Sequence, residues 1–518
     1  MDLNLQIRRA YQQASESREY AAIEKIKSNP KFFYSYARSH SVVRSDIAMV
    51  RDEEGRMLVE PQLIANALQN HFSSVYSDPN CEEVQAPLFE SPQIQSQMEI
   101  DFTAEDVEEA IRELRNGSAP GADGVPTVLL KSCSQVLAGP LASMWKWSLR
   151  VGVVPDFYKV SLVSPLHKKG DKITPSNYRP VSLTSHVVKV FERVLKKILV
   201  NFLENNSLIS FNQHGFRSGR STLTQLLAHV NDVLVGWCRG LDSDCIYLDY
   251  AKAFDKVDHA LLVQKLELYS VHPVLLKWIE SFLMERKQYV VVNGIRSNEA
   301  TVISGVPQGS VLGPVLFVMF INDLEGVVTH KSTVRFFADD TRISRRIEGV
   351  ADHFALQDDL SSIMGWAKRN NMQLHGQKFE LLVHRAGPTT NLDCLPFPLQ
   401  LYSYVISEDV ILSPSDELRD LGVRISADLS WKSQICSVAS KGRSMAAWVL
   451  SVFRCREPEV MMTLYKTYVR SQLEYCSLLW HPQSIEDIGT IEGVQRTFTS
   501  KIFGISHMNY WERLESLN

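Results

Sequence analysis

Two β-prone runs meet at a pair of acids. Val334, Phe336, Phe337 and Ala338 form an apolar stretch, Asp339-Asp340 follow, and an alternating stretch runs from Thr341 to Ile347. Strand character on both sides of so short a break predicts a hairpin with the carboxylates at its tip. Alone this says little about chemistry, because Asp-rich turns between strands commonly do no more than satisfy backbone amides. Two carboxylates on one turn are also a place where a divalent metal can be held.

The segments upstream give the pair its weight. In Asp244-Cys245-Ile246-Tyr247-Leu248-Asp249-Tyr250-Ala251-Lys252-Ala253-Phe254-Asp255-Lys256-Val257-Asp258-His259 a short apolar strand runs into an acid and then a turn, which places Asp249 at a strand's carboxyl end. Ser304-Gly305-Val306-Pro307-Gln308-Gly309-Ser310-Val311-Leu312-Gly313-Pro314 is a polar, Gly/Pro-rich loop opening into the helical run Val315 to Ile321. Glycines there let the backbone approach a ligand closely. In order and content these three segments resemble the reverse transcriptases of non-LTR retrotransposons, most of all the jockey-like groups. Phe337-Ala338-Asp339-Asp340 stands where that family has its aromatic-Ala-Asp-Asp box.

A chain of 518 residues, 45% hydrophobic and 22% charged, is long enough for several domains with sizeable cores. The apolar run Val315 to Ile321 is far short of the roughly 20 residues that span a membrane, and the N-terminus lacks a secretory pattern. A soluble intracellular protein is expected, in the nucleus, the cytoplasm or both. The eight cysteines include no Cys-x-x-Cys pair, so neither a zinc module nor a disulfide framework is indicated. A formal net charge of -4 looks wrong for a nucleic-acid enzyme, but the signs are segregated. Arg150 to Gly240 carries thirteen Lys/Arg against five Asp/Glu, whereas Glu82 to Glu113 holds ten acids and one arginine. The basic block suits phosphate attraction or an ordinary solvated surface, and the acidic segment a linker and helix face.

Along the chain, residues 1–98 read as a helical leader and linker, the polar stretch from Asn80 to Met98 being the linker. Thr103 with Asp106 three residues on opens a helix through a capping box, and that helix ends by Asn116-Gly117. Val160 to Leu183 reads as strand, Lys-rich turn, strand. Helices are predicted over Val187–Leu203, Leu223–Trp237, Leu261–Tyr269 and Leu275–Lys287, then a hairpin at Asn293-Gly294. Met461–Leu479 and Ile488–Phe503 also read as helices. Strand and helix alternate from Asp244 to Val383, which makes an α+β core.

The resemblance extends over nearly the whole chain and is most specific from Ala119 to Glu380. It implies a right-hand polymerase: fingers over 99–240, an antiparallel-sheet palm over 241–417, and a grip segment with a helical thumb over 418–518. The Ala119-Pro120-Gly121-Ala122-Asp123-Gly124 and Gln213-to-Thr222 blocks resemble finger segments. The implied activity is RNA-directed DNA synthesis from a DNA primer on an RNA template, using deoxynucleoside triphosphates. Nucleotidyl transfer of this kind uses two metal ions about 3.5 to 4 Å apart. By resemblance Asp249 and Asp339 are the metal ligands and Asp340 completes the pair. Hard oxygens favour Mg²⁺, with Mn²⁺ as a substitute.

The resemblance also assigns neighbours. Phe254 stands where a bulky residue excludes a 2'-hydroxyl, its alternative being a core aromatic. Gln308 and Gly309 match loop residues that contact nucleotide and template, where a plain helix start is the other reading. Lys168, Lys169 and Arg179 match the cations that clamp the triphosphate. Lys378 falls where the family places a lysine that protonates leaving pyrophosphate, and would otherwise be an exposed strand residue. His375 departs from the family's usual Asn, which puts that turn's geometry in question. Arg217 and Arg220 fit template or backbone contacts, or a charged helix start. No Ser/His/Asp triad assembles, and His214 and His259 receive no role. Complete elements usually carry an endonuclease ahead of the polymerase, for which the first hundred residues leave no room, so a fragment is expected. The alternatives are a catalytically inactive nucleic-acid-binding relic and a host-adopted reverse transcriptase.

Overall fold

The computed structural model describes residues 2–26, 30–39, 47–77, 94, 96–387, 404–407 and 410–517. Most of the stretch read as a linker, with Cys81 and Cys394, lies outside them. The chain divides into two compact units, one of Asp46–Ser415 and one of Met1–Ser45 with Asp416–Asn518. Residues 1–98 are therefore shared between the two units.

In the larger unit β1 (Val160–His167) and β2 (Tyr178–Leu183) form an antiparallel hairpin with Leu166 opposite Arg179. Helix α1 (His186–Asn205) follows, its first amides bonded to the Ser185 hydroxyl, and α2 (Thr222–Trp237) opens on a Ser221/Thr224 capping box. Then come β3 (Asp242–Leu248), β4 (Arg286–Val292), α3 (Gly313–Ile321), β5 (Thr333–Phe337), β6 (Asp340–Ile347), α4 (Val350–Arg369) and β7 (Glu380–His384). One sheet runs β7-β3-β6-β5, with the short strand Pro414–Ser415 outside β7. A second runs β2-β1-β4, to which Ile295–Arg296 and Ala300–Val302 add. This is an α+β architecture.

In the first sheet β3 is central and antiparallel to both neighbours. Side chains alternate faces along a strand, so Ile246 and Leu248 enter the main core with Ile343 and Leu381. Helix α3 is apolar all round and buries all but one of its nine residues in that core, as such a sequence must. The opposite face of β3, with Ser243, Cys245 and Tyr247, packs under α2.

One helix of this unit ends well before its expected limit. The helix read as Leu275–Lys287 stops at Leu283, because Glu285 turns left-handed (φ 57°) and the chain enters β4 at Arg286. The helix opened by Thr103 ends at Arg112, within the expected limit at Asn116-Gly117. The capping box itself is present, as is the hairpin at Asn293-Gly294 (φ 51° and 83°).

In the smaller unit Phe33 stacks on Phe453 and Tyr468 at 5.4 and 5.1 Å, and Glu19 accepts from the Cys455 amide at 2.8 Å. A hairpin pairs Glu417–Asp420 with Val423–Ser426, turning at Leu421-Gly422, both at positive φ. The helix expected over Met461–Leu479 is interrupted. It passes through a π-helical turn at Tyr465–Arg470 and breaks at Cys476, which is left-handed (φ 54°).

Candidate active site

The β5–β6 turn consists of Ala338 and Asp339, with Ala338 left-handed at φ 59°. A buried alanine in that conformation needs outside support. Gln213 supplies it: its Oε1 accepts from the Ala338 amide at 3.1 Å and the Gly215 amide at 2.7 Å. The same segment lies along β5, the Phe336 amide donating to Asn212 O (3.0 Å) and the His214 amide to Phe336 O (2.9 Å). Gly215 is obligatory there, since a Cβ would fall 2.4 Å from the Ala338 nitrogen.

Register brings the acids together. Thr341 pairs with Leu248, and one residue further along stand Asp340 and Asp249. Burial raises the Asp339 carboxyl above its usual range, the Asp249 charge adds to this, and Arg179 and Lys168 oppose it. Asp339 and Asp249 are half-buried and Asp340 is exposed. The Asp249 carbonyl accepts from the His375 amide at 2.9 Å, and its carboxylate accepts from Lys378 Nζ at 3.1 Å. His375 thus holds Asp249 through its main chain, a contact that does not depend on its side chain.

The β1–β2 hairpin brings cations to these acids. Lys168 donates its amide to Asn177 O at 2.8 Å, and its ammonium is lowered in proton affinity by burial, then by Arg179 and Lys169, with Asp249 opposing. By surface area Lys168, Lys169 and Arg179 are all exposed, so the burial felt by the Lys168 ammonium is partial. Lys252, left-handed at φ 53°, joins this group: burial lowers its proton affinity, Asp255 opposes, and Arg179 and Lys378 add to the effect. Sequence reasoning gave Lys252 no role, and a positive-φ lysine carries no sequence signal.

Phe254 is half-buried, stacked on Phe317 at 4.2 Å with Phe216 edge-on at 6.2 Å. Its carbonyl accepts from Val306 N at 2.8 Å, which ties it to the Gly/Pro-rich loop. Gln308 Nε2 donates to Asp255 Oδ1 at 2.7 Å, and Gln308 O accepts from Ser182 of β2 at 2.7 Å. Burial pushes the Asp255 carboxyl up to about 6. Gly309 (φ 121°) lies so close to β2 that a Cβ would meet Ser182 O at 2.4 Å. Two further residues support the loop: buried Glu192 of α1 accepts from the Val311 and Leu312 amides at 2.6 and 3.0 Å, and His259 Nε2 lies 2.7 Å from Gly305 O.

Arg217 and Arg220 are placed differently. Arg217 spends its guanidinium on Glu204 (2.9 and 2.6 Å) and on Ser210 O (2.7 Å). Arg220 lies 4.2 Å over the Phe211 ring. Neither joins the acids.

No helix among the described residues is long and apolar enough to cross a membrane. A family model described as reverse transcriptase (RNA-dependent DNA polymerase) matches residues 166–425, half of the chain. A probable RNA-directed DNA polymerase from transposon X-element of Drosophila melanogaster is 27% identical over 409 residues, covering 77% of this chain and 44% of that protein. The RNA-directed DNA polymerase from mobile element jockey is 30% identical over 335 residues in Drosophila melanogaster (62% of this chain, 36% of the relative). Its counterpart in Drosophila funebris is 26% identical over 460 residues (86% and 48%). The chain thus spans less than half the length of these relatives.

Proposed function

Because this chain belongs to the reverse transcriptase family, we propose that it is an RNA-directed DNA polymerase of a non-LTR retrotransposon, extending a DNA primer on an RNA template. In the right-hand reading the β7-β3-β6-β5 sheet is the palm (241–417), the β1–β2 hairpin belongs to the fingers (99–240), and 418–518 forms grip and thumb after a leader (1–98). The observation that carries the proposal is the meeting of Asp249 with the Asp339-Asp340 turn under the cations of the β1–β2 hairpin.

Asp249, Asp339 and Asp340 offer hard carboxylate oxygens, a donor set that fits Mg²⁺ or Mn²⁺. Crowding of Asp339 by burial and by Asp249 is what a bound cation would relieve. When bound, two such ions supply activation of the primer hydroxyl and neutralisation of the leaving pyrophosphate. Lys168, Lys169 and Arg179 hold the triphosphate, Arg through its fork and Lys as compact charge. Phe254, braced by Phe317, limits space beside the sugar, and Gln308 and Gly309 line the nucleotide and template. The exposed Lys378–Asp249 ion pair contributes little to stability, so Lys378 is free to exchange Asp249 for the pyrophosphate and give it a proton. Arg220 contacts the template, while Arg217 shapes its segment through Glu204.

Primer extension on an RNA template with Mg²⁺ tests this. Template-dependent synthesis is expected from the unmutated chain and none from Asp339→Asn. A folded chain that makes no DNA would instead favour a nucleic-acid-binding relic.

A further inference from the structure

We propose that the fold builds a second metal site, for zinc or a similarly soft divalent ion, from His229, Cys245 and His384. The three come from α2, β3 and β7, and one ligand atom of each lies within 4.8 Å of the other two. Their exposures are 1%, 0% and 0%. The register explains the meeting: Cys245 pairs with Leu382 and Ser243 with His384, so His384 and Cys245 are diagonal neighbours on the β3 face that α2 covers. Gly236 lets α2 come down onto that face, since a Cβ there would sit 3.2 Å from Ser243 Oγ.

The donor set selects the ion. One thiolate and two imidazoles are soft to borderline ligands, suited to zinc and poorly suited to Mg²⁺, so this site does not compete for the ions of the aspartates. Burial lowers the proton affinity of His229, with Arg342, His384 and Arg335 adding to this. Arg342, whose guanidinium lies 5.5 Å over the Tyr247 ring, repels a bare dication. Cys245 offsets it by losing its thiol proton to solvent as the metal–sulfur bond forms. Two oxygens lie beside the ligands. The Tyr247 hydroxyl is 3.3 Å from His229 Nε2, and Ser243 Oγ is buried without a hydrogen-bond partner among the described residues.

Such an ion would tie α2 to β3 and β7. Cys245 lies four residues before Asp249, roughly 13 Å along the strand, so the tie would stiffen the strand that carries Asp249 without touching its carboxylate. Zinc modules are sought in sequence by closely spaced Cys and His pairs, and these three residues are scattered.

The test uses the full chain. After purification without chelators, elemental analysis should find one zinc per chain, retained in Asp339→Asn and lost in Cys245→Ser. Cobalt(II) added to the metal-stripped chain should produce thiolate-to-cobalt charge-transfer absorption, and added zinc should displace the cobalt and remove the band. The cobalt readout needs no variant, so misfolding of Cys245→Ser leaves the answer intact. A chain without zinc that gives no cobalt–thiolate band would overturn the site.

Discussion

Replacing Gln213 with Met tests whether one buried side chain sets the position of Asp339. Methionine keeps the length and most of the volume but removes the oxygen that accepts from Ala338 and Gly215. Gln213 is 1% exposed, so water does not reach those amides without local opening. Each orphaned buried amide costs about 1–3 kcal/mol, so the pair should cost at least about 2 kcal/mol, a factor of roughly 30 in the opening equilibrium. Hydrogen exchange followed by mass spectrometry should show peptides spanning 213–216 and 336–341 exchanging roughly 30-fold faster, with peptides from α3 unchanged. In primer extension the Mg²⁺ concentration for half-maximal rate should rise, because the strained Ala338 no longer holds Asp339 against Asp249. Exchange within about twofold of the unmutated chain would refute this, because the β5–β6 ladder and the packing of Gly215 would then suffice.

Phe254→Val should relax sugar discrimination by roughly 10- to 200-fold, the range set by small changes in pocket volume. Unchanged ribonucleotide exclusion would return Phe254 to a packing role against Phe317. Asp255 carries a pH prediction. Its carboxyl titrates near 6 in the fold against 3.8 for a free side chain, so the folded state binds the proton more tightly. Stability from this group is fullest below its ordinary value, falls as pH rises towards about 6, and above that the charge costs at most about 3 kcal/mol. Asp255→Asn keeps an oxygen for Gln308, so it should stabilise the chain at neutral pH and flatten the denaturation midpoint between pH about 4 and 6. A midpoint whose pH dependence is unaltered would count against this. Gly309→Ala, with its Cβ driven into Ser182 O, should raise KM for the incoming nucleotide by roughly 5- to 150-fold, from about 1–3 kcal/mol of strain. Nucleotide kinetics like those of the unmutated chain would mean the loop yields without loss.

What was legible in the sequence depended on how local the signal was. The β5–β6 hairpin, the Thr103 capping box and the Asn293-Gly294 turn are set by neighbours within a few residues, and strand or cap chemistry announces them. The misread ends are places where a non-glycine residue turns left-handed without warning, as at Glu285 and Cys476. The candidate site divides in the same way. Asp249, Asp339, Lys168 and Arg179 are recognisable by type and order, because their charged groups are what the site offers. Their supports act at long range through atoms that many residue types could supply. Gln213 braces a turn 125 residues away through one amide oxygen, and Glu192 caps a loop 119 residues on through a carboxylate oxygen. Arg217 reads as a nucleic-acid contact by type alone, and only the fold shows Glu204 occupying its guanidinium. His375 completes the argument from the other direction. Its side chain departs from the pattern, yet its backbone amide is what holds Asp249, and any residue but proline carries that donor. Departures from a motif therefore weigh according to which atoms do the holding, and at His375 those atoms belong to the main chain.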